Sequence, residues 1–77
     1  MPRFPAVTAK DVIRAAKKLG FEFSRQSGTS HAVYKRPIDK RRVIIPNHPA
    51  ITVKRKTLAA IISDLGITVE DFKKLLK

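Results

Sequence analysis

The chain has 77 residues, with 17 Lys and Arg against 6 Asp and Glu, and a formal net charge of +11. This length predicts one small domain over residues 1–77, and the absence of cysteine excludes disulfides and thiolate zinc sites. The two histidines show no metal-ligand spacing and no apolar run is long enough to cross a bilayer, so we expect no metal, no cofactor, no membrane partner and a cytoplasmic location.

A helix is predicted after an N-terminal arm of residues 1–7. Thr8 is placed as its N-cap, and Asp11 stands three residues on, at the position that completes a capping box. Val7 and Val12 flank the cap as a hydrophobic staple. Gly20 is expected to end this helix, whose apolar stripe has helical spacing: Val12, Ala15, Ala16 and Leu19.

Three short strands are expected next, separated by the turns "SGTS" and "PIDK": "FEFSRQ" (21–26), "HAVYKR" (31–36) and "RRVIIP" (41–46). Because Phe21 and Phe23 alternate with polar residues, we expect both phenylalanines on one buried face. Tyr34, the only tyrosine, is expected to pack in the core. The short connections predict an antiparallel meander.

A second helix is predicted from about Val53 to Leu65. A polar bend precedes it, and Gly66 is expected to end it. Its stripe is Leu58, Ile61, Ile62 and Leu65. Thr68 and Asp71 then repeat the capping arrangement and begin a short third helix.

These elements predict an α+β two-layer sandwich, with helices covering one face of a three-stranded antiparallel sheet. The α-β-β-β-α order is that of double-stranded-RNA-binding domains, here with an extra short C-terminal helix.

The positive charge is concentrated in the middle of the chain, where nine basic residues accompany one acid, Asp39, between Arg25 and Ser63. This imbalance predicts an anionic partner, most often a nucleic acid. The alternatives are a solvated charged face and the protection of sheet edges by charge. The candidate RNA contacts are Arg25, Lys35, Arg36, Arg41, Arg42, Lys54, Arg55 and Lys56.

His31 follows the glycine turn and is the candidate for a side chain that takes part in chemistry. Metal-free RNA cleavage needs a base for the ribose 2′-hydroxyl, a proton for the leaving oxygen and cations near the phosphate. Imidazole changes charge near neutral pH and can serve both proton transfers. In isolation, a histidine after a turn is more often structural.

The ordered set "GFEFSRQSGTSHAVYKRP", "RRVIIPNHP" and "KRKTLAAIISDLGITVEDF" resembles the HicA toxin family, the small RNA-cleaving partners of HicB antitoxins. The resemblance implies cleavage of messenger RNA with His31 as the catalytic residue, presented by a turn of Gly28, Thr29 and Ser30. His48 matches a third-strand histidine; it is either a second proton-transfer group or, as we favour, structural.

The same resemblance implies a HicB-type antitoxin that covers the active site, a hetero-oligomer with that antitoxin and a monomer when free. Two other hypotheses stay open from the residues themselves. One is a non-catalytic RNA- or DNA-binding module that uses the same basic face. The other is a structural protein of ribosomal type, which explains the charge and leaves the glycine turn unexplained.

Overall fold

The computed structural model describes residues 6–28, 31–46 and 51–76. It contains, in chain order, the elements α1 (Ala9–Lys18), β1 (Glu22–Ser27), β2 (His31–Arg36), β3 (Arg41–Pro46), α2 (Arg55–Leu65) and α3 (Val69–Leu75). The strands form one antiparallel sheet in the order β1-β2-β3. The predicted α+β order with an added third helix is therefore confirmed.

The two predicted capping boxes are both formed. At α1 the Thr8 hydroxyl accepts from the Asp11 amide at 3.4 Å, and an Asp11 carboxylate oxygen accepts from the Thr8 amide at 3.1 Å. Thr68 and Asp71 make the same reciprocal pair at α3. In each box, side-chain oxygens accept hydrogen bonds from backbone amides at the start of the helix, which have no acceptor within the helix itself.

The core lies between the helices and one face of the sheet. Tyr34 of β2 is paired with Val43 of β3, Ala32 with Ile45, and all four side chains are buried in one cluster with the helices. The predicted stripe of α2 is buried in the same cluster, as are Val7 and Val12. The expectation for Tyr34 is thus confirmed, and burial raises the pKa of its phenol.

Phe23 corrects the expectation that both phenylalanines are buried. Phe21 precedes β1 and is buried, whereas the side chain of Phe23 is 57% exposed. The pairing register of β1 shifts between Phe23 and Arg25, and the helices pack chiefly against β3 at the opposite edge of the sheet. Phe23 therefore stays exposed beside the Tyr34 ring, edge-on with centroids 5.8 Å apart.

The second helix begins two residues later than predicted. Val53 lies outside the helix and is buried, and its amide donates to the carbonyl oxygen of Val7 at 2.8 Å. Thr8 and Thr52 form a bridge beside it. This pairing holds Val53 out of the helix and also makes Val7, the last residue of the predicted arm, part of the core.

None of the helices in the described part of the chain is long and apolar enough to cross a membrane.

Candidate functional site: the open face of the sheet

Within residues 6–28, 31–46 and 51–76, the helices cover one face of the sheet and leave the other without a helix over it. Because successive strand residues point to opposite faces, and directly paired residues share a face, the residues between the core positions lie on this second side. The pairs Val33–Ile44, Lys35–Arg42, Arg25–Val33 and Ser27–His31 place them there. We call this side the open face and define it by Glu22, Arg25, His31, Val33, Lys35, Arg42 and Ile44.

His31 is the first residue of β2 and stands exposed at one end of the open face. It pairs with Ser27 on β1 and with Pro46 on β3, so the backbone at this position is held in the sheet from both sides. The exposed imidazole on a fixed backbone can meet a ligand that lies across the face.

Gly28 allows the chain to turn before His31. Its φ of 72° lies in the left-handed region, where a side chain is strained, and an added Cβ would meet nothing within 4 Å. The glycine is therefore required by backbone conformation and not by space. The other predicted turn residues, Thr29 and Ser30, and the second histidine, His48, lie outside the described residues.

Lys35 and Arg42 are directly opposite each other on the open face. Like charges in this position destabilise a sheet, so the pair opposes folding, although Glu22 lies opposite Lys35 on β1 and offsets part of the repulsion. Among the described residues, neither side chain forms a salt bridge within 4.0 Å. The open face thus presents cations whose charge the fold does not neutralise by contact.

Arg36 and Arg41 are also directly opposite, on the other side of the same strands, but an acid lies between them. Asp39 accepts from Arg36 Nη2 at 2.7 Å and lies 3.7 Å from Arg41 Nε. The hydrogen bond from Arg36, with smaller contributions from Arg41, lowers the pKa of the Asp39 carboxyl to about 2.

Both of these arginines also contact residues outside the hairpin of β2 and β3. Arg36 lies 4.8 Å from the centroid of the Phe21 ring and donates to the carbonyl oxygen of Leu19 at 3.2 Å. Arg41 donates to the carbonyl oxygen of Asp64 at 3.1 Å, near the C-terminus of α2. The structure therefore places Arg25, Lys35 and Arg42 on the same face as His31, with Arg25 nearer to it and Lys35 and Arg42 at the other end of β2, and it does not bring Arg36 and Arg41 to that face.

The predicted cations Lys54, Arg55 and Lys56 form the N-cap and first turn of α2 and are exposed. The Arg41–Asp64 bond fixes the C-terminal end of α2 at the start of β3. Because α2 packs against β3, its first turn lies toward the Pro46 end of that strand, the end that pairs with His31. These cations and His31 therefore share one end of the molecule.

A cleft of about 200 Å³ lies on the open face, lined by Arg25, Val33, Arg42, Ile44 and Asp64. The sequence prediction missed Val33, Ile44 and Asp64. "RRVIIP" has three consecutive apolar residues, and in a strand one of them must point away from its two neighbours. That pattern was the available signal for an apolar residue on the outer face.

The described residues contain no group of three His, Cys, Asp or Glu side chains placed to hold a metal ion.

Comparison with known proteins identifies the family. The family model described as the HicA toxin of bacterial toxin-antitoxin matches residues 9–67, which span α1 through α2 and include the whole sheet. Among curated proteins, none matches the chain in sequence. The family match covers most of the chain and every element of the open face, so the chain belongs to the HicA toxin family and is the toxin of a toxin–antitoxin pair, with an antitoxin as its partner.

Proposed function

We propose that the protein is an endoribonuclease that cleaves messenger RNA on the open face, with His31 as its catalytic residue. The observation that carries the proposal is the position of His31: exposed, held by two neighbouring strands, and on the same face as Arg25, Lys35 and Arg42. Membership of a toxin family supports it, since a toxin needs a cellular target.

The chemistry requires proton transfer at two oxygens. Neutral imidazole of His31 accepts the proton of a ribose 2′-hydroxyl, and that oxygen attacks the adjacent phosphorus. The bond from phosphorus to the 5′-oxygen of the next nucleotide then breaks. The leaving oxygen takes a proton from the imidazolium, from a lysine or from water. The products are a 2′,3′-cyclic phosphate and a 5′-hydroxyl.

A cation near His31 stabilises the extra negative charge of the pentacoordinate phosphorus. Arg25 is opposite Val33, two residues along β2 from His31, and because arginine stays protonated it contributes charge and hydrogen bonds and transfers no proton. Lys35 and Arg42 lie about 13 Å from His31 along β2, so they bind a neighbouring phosphate of the RNA, which relieves their repulsion. Lys54, Arg55 and Lys56 extend the phosphate-binding surface past His31 along the same strand of RNA.

The antitoxin of this pair is, in our proposal, a HicB-type protein that covers the open face. A partner that covers the whole open face, from His31 to Lys35 and Arg42, excludes water from these cations. Acidic side chains on the partner would compensate for that desolvation and speed association. The antitoxin complex is then a hetero-oligomer in which the RNA site is closed.

The test is cleavage of a 5′-labelled RNA in excess EDTA, beside a DNA of the same sequence. We expect cleavage of the RNA alone, with 2′,3′-cyclic phosphate ends, because the attacking group is the 2′-hydroxyl. His31→Ala and His31→Asn should both lose cleavage while they keep the wild-type circular dichroism spectrum, since His31 is exposed and its contacts in the sheet are through the backbone.

A charge control separates catalysis from binding. Arg14→Gln with Lys17→Gln and Lys74→Gln removes three exposed cations from the helices, taking the net charge from +11 to +8 without touching the open face. This variant should cleave as the wild type does. Equal cleavage by wild type and folded His31→Ala would refute the catalytic role. RNA binding without any cleavage by the wild type would favour the non-catalytic binding module.

A further inference from the structure

The cleft on the open face combines an apolar floor with charged sides. Val33, on the central strand, is only 6% exposed, and Ile44, on the edge strand, is 52% exposed. Arg25 and Arg42 line the same cleft from the two outer strands. Among the described residues, neither arginine forms a salt bridge with Asp64, so both guanidinium groups can turn toward a ligand.

This lining suits the flat face of a nucleobase. Aliphatic side chains pack against the ring face, and a guanidinium plane stacks on it. The cleft holds about 200 Å³, less than the roughly 300–1,000 Å³ of sites that enclose drug-sized molecules, so it accommodates one ring system and not a longer ligand. A base docked there would place its own phosphates beside the cations that flank the cleft.

Asp64 lines the cleft from α2 and is the acidic residue among the lining residues. Its carbonyl oxygen accepts from Arg41 Nη1 at 3.1 Å, which ties this point of α2 to β3 and holds the residue at the cleft. A carboxylate only accepts hydrogen bonds. Adenine, cytosine and guanine each offer an exocyclic amino group to it. Uracil offers two carbonyl oxygens on either side of one N–H, and these oxygens repel the carboxylate.

We propose that this cleft is a nucleobase subsite that selects an amino-bearing base over uracil, with Asp64 as the residue that discriminates. The inference rests on the proposed function, because it assumes that RNA lies across the open face. It adds the substrate feature that the site recognises next to the bond it cleaves.

The experiment measures binding without cleavage. Fluorescence anisotropy of the folded His31→Ala protein is recorded with labelled oligoadenylate, oligocytidylate and oligouridylate of equal length. A charge-assisted hydrogen bond to an amino group predicts about tenfold tighter binding of the first two over oligouridylate. In Asp64→Asn, whose amide offers both donor and acceptor, the preference should fall to within about twofold.

Two matched variants complete the design. Glu70→Gln removes one exposed carboxylate on α3, the same change of charge as Asp64→Asn, and should keep the base preference. Ile44→Ser should weaken binding of all three oligonucleotides and leave the salt dependence unchanged, because it removes stacking surface and no charge.

Equal affinity for the three oligonucleotides, or a preference that survives Asp64→Asn, would overturn the subsite and leave RNA cleavage by the wild type intact. Failure of all three to bind, together with no cleavage by the wild type, would overturn the RNA function itself.

Discussion

The direct opposition of Lys35 and Arg42 predicts that stability and RNA binding move in opposite directions. The two side chains are cross-strand partners on the open face, and like charges in that position destabilise a sheet by roughly 0.2–1 kcal/mol. Replacing either one by glutamine removes the repulsion. The double variant removes the same single repulsion. Its gain in the free energy of unfolding should therefore be smaller than the sum of the gains of the two single variants.

A double-mutant cycle measures this coupling independently of the acids that neighbour each residue, Glu22 beside Lys35 and Asp64 beside Arg42. Urea unfolding of wild type, Lys35→Gln, Arg42→Gln and the double variant should give a repulsive coupling of about 0.2–1 kcal/mol. For a domain of this size, that corresponds to about 1–8 °C in Tm. The coupling should shrink at high salt, where charges are screened.

The same variants should bind RNA less well. Each lost phosphate contact lowers the slope of log affinity against log salt by about 0.7 on a single strand, so the double variant should lose about 1.4. The control cycle pairs Arg42→Gln with Lys17→Gln, an exposed residue on the helix side, and should be additive. A coupling of zero or of attractive sign would mean that Lys35 and Arg42 do not repel each other in the folded protein. An unchanged salt slope would mean that they do not contact phosphate.

Further outcomes are expected at Asp39, Gly28 and Thr8. The Asp39 carboxyl should titrate by NMR at about 2, and should move toward its ordinary 3.8 in Arg36→Met; a titration near 3.8 in the wild type would contradict the ion pair. Because this pKa is lowered in the folded state, its contribution to stability is complete above pH 3.8 and is lost as the pH falls toward 2, so the stability advantage of wild type over Asp39→Asn should vanish across that window. Gly28→Ala should cost about 1 kcal/mol from backbone strain at a φ of 72°, measured by urea unfolding, and a neutral substitution would mean that the turn adopts another conformation. Thr8→Ala should cost about 1 kcal/mol through its capping box, whereas Thr8→Ser should be nearly neutral.

Much of the fold could be predicted because its signals are local. Each capping box is written in four consecutive residues, the stripes of α1 and α2 repeat at helical spacing, and the turns lie between the strands. β2 and β3 have the predicted bounds. The predictions for Phe23 and Val53 were wrong for non-local reasons. The burial of Phe23 depends on which strand the helices cover, and the conformation of Val53 depends on pairing with Val7, which is distant in sequence.

The site was predicted only in part for the same reason. Local sequence marks His31 after a glycine turn and counts the cations, and strand alternation separates Lys35 from Arg36, but it does not say which of the two faces the helices cover. Arg36 and Arg42 are equally basic in the sequence, but strand register places Arg36 against Phe21 and Asp39 and Arg42 on the open face. Asp64 reaches the cleft from α2, so no strand pattern could have identified it.

Cleavage of RNA by His31 on the open face is best measured as a single-turnover rate. Wild type and folded His31→Ala are compared on one labelled RNA in EDTA, with saturating protein so that binding is equal. The rate should fall by about 10²–10⁴ in the variant, the range of a general acid–base group. A rate within a few-fold of the wild type would mean that His31 takes no part in cleavage and is a residue of the turn alone.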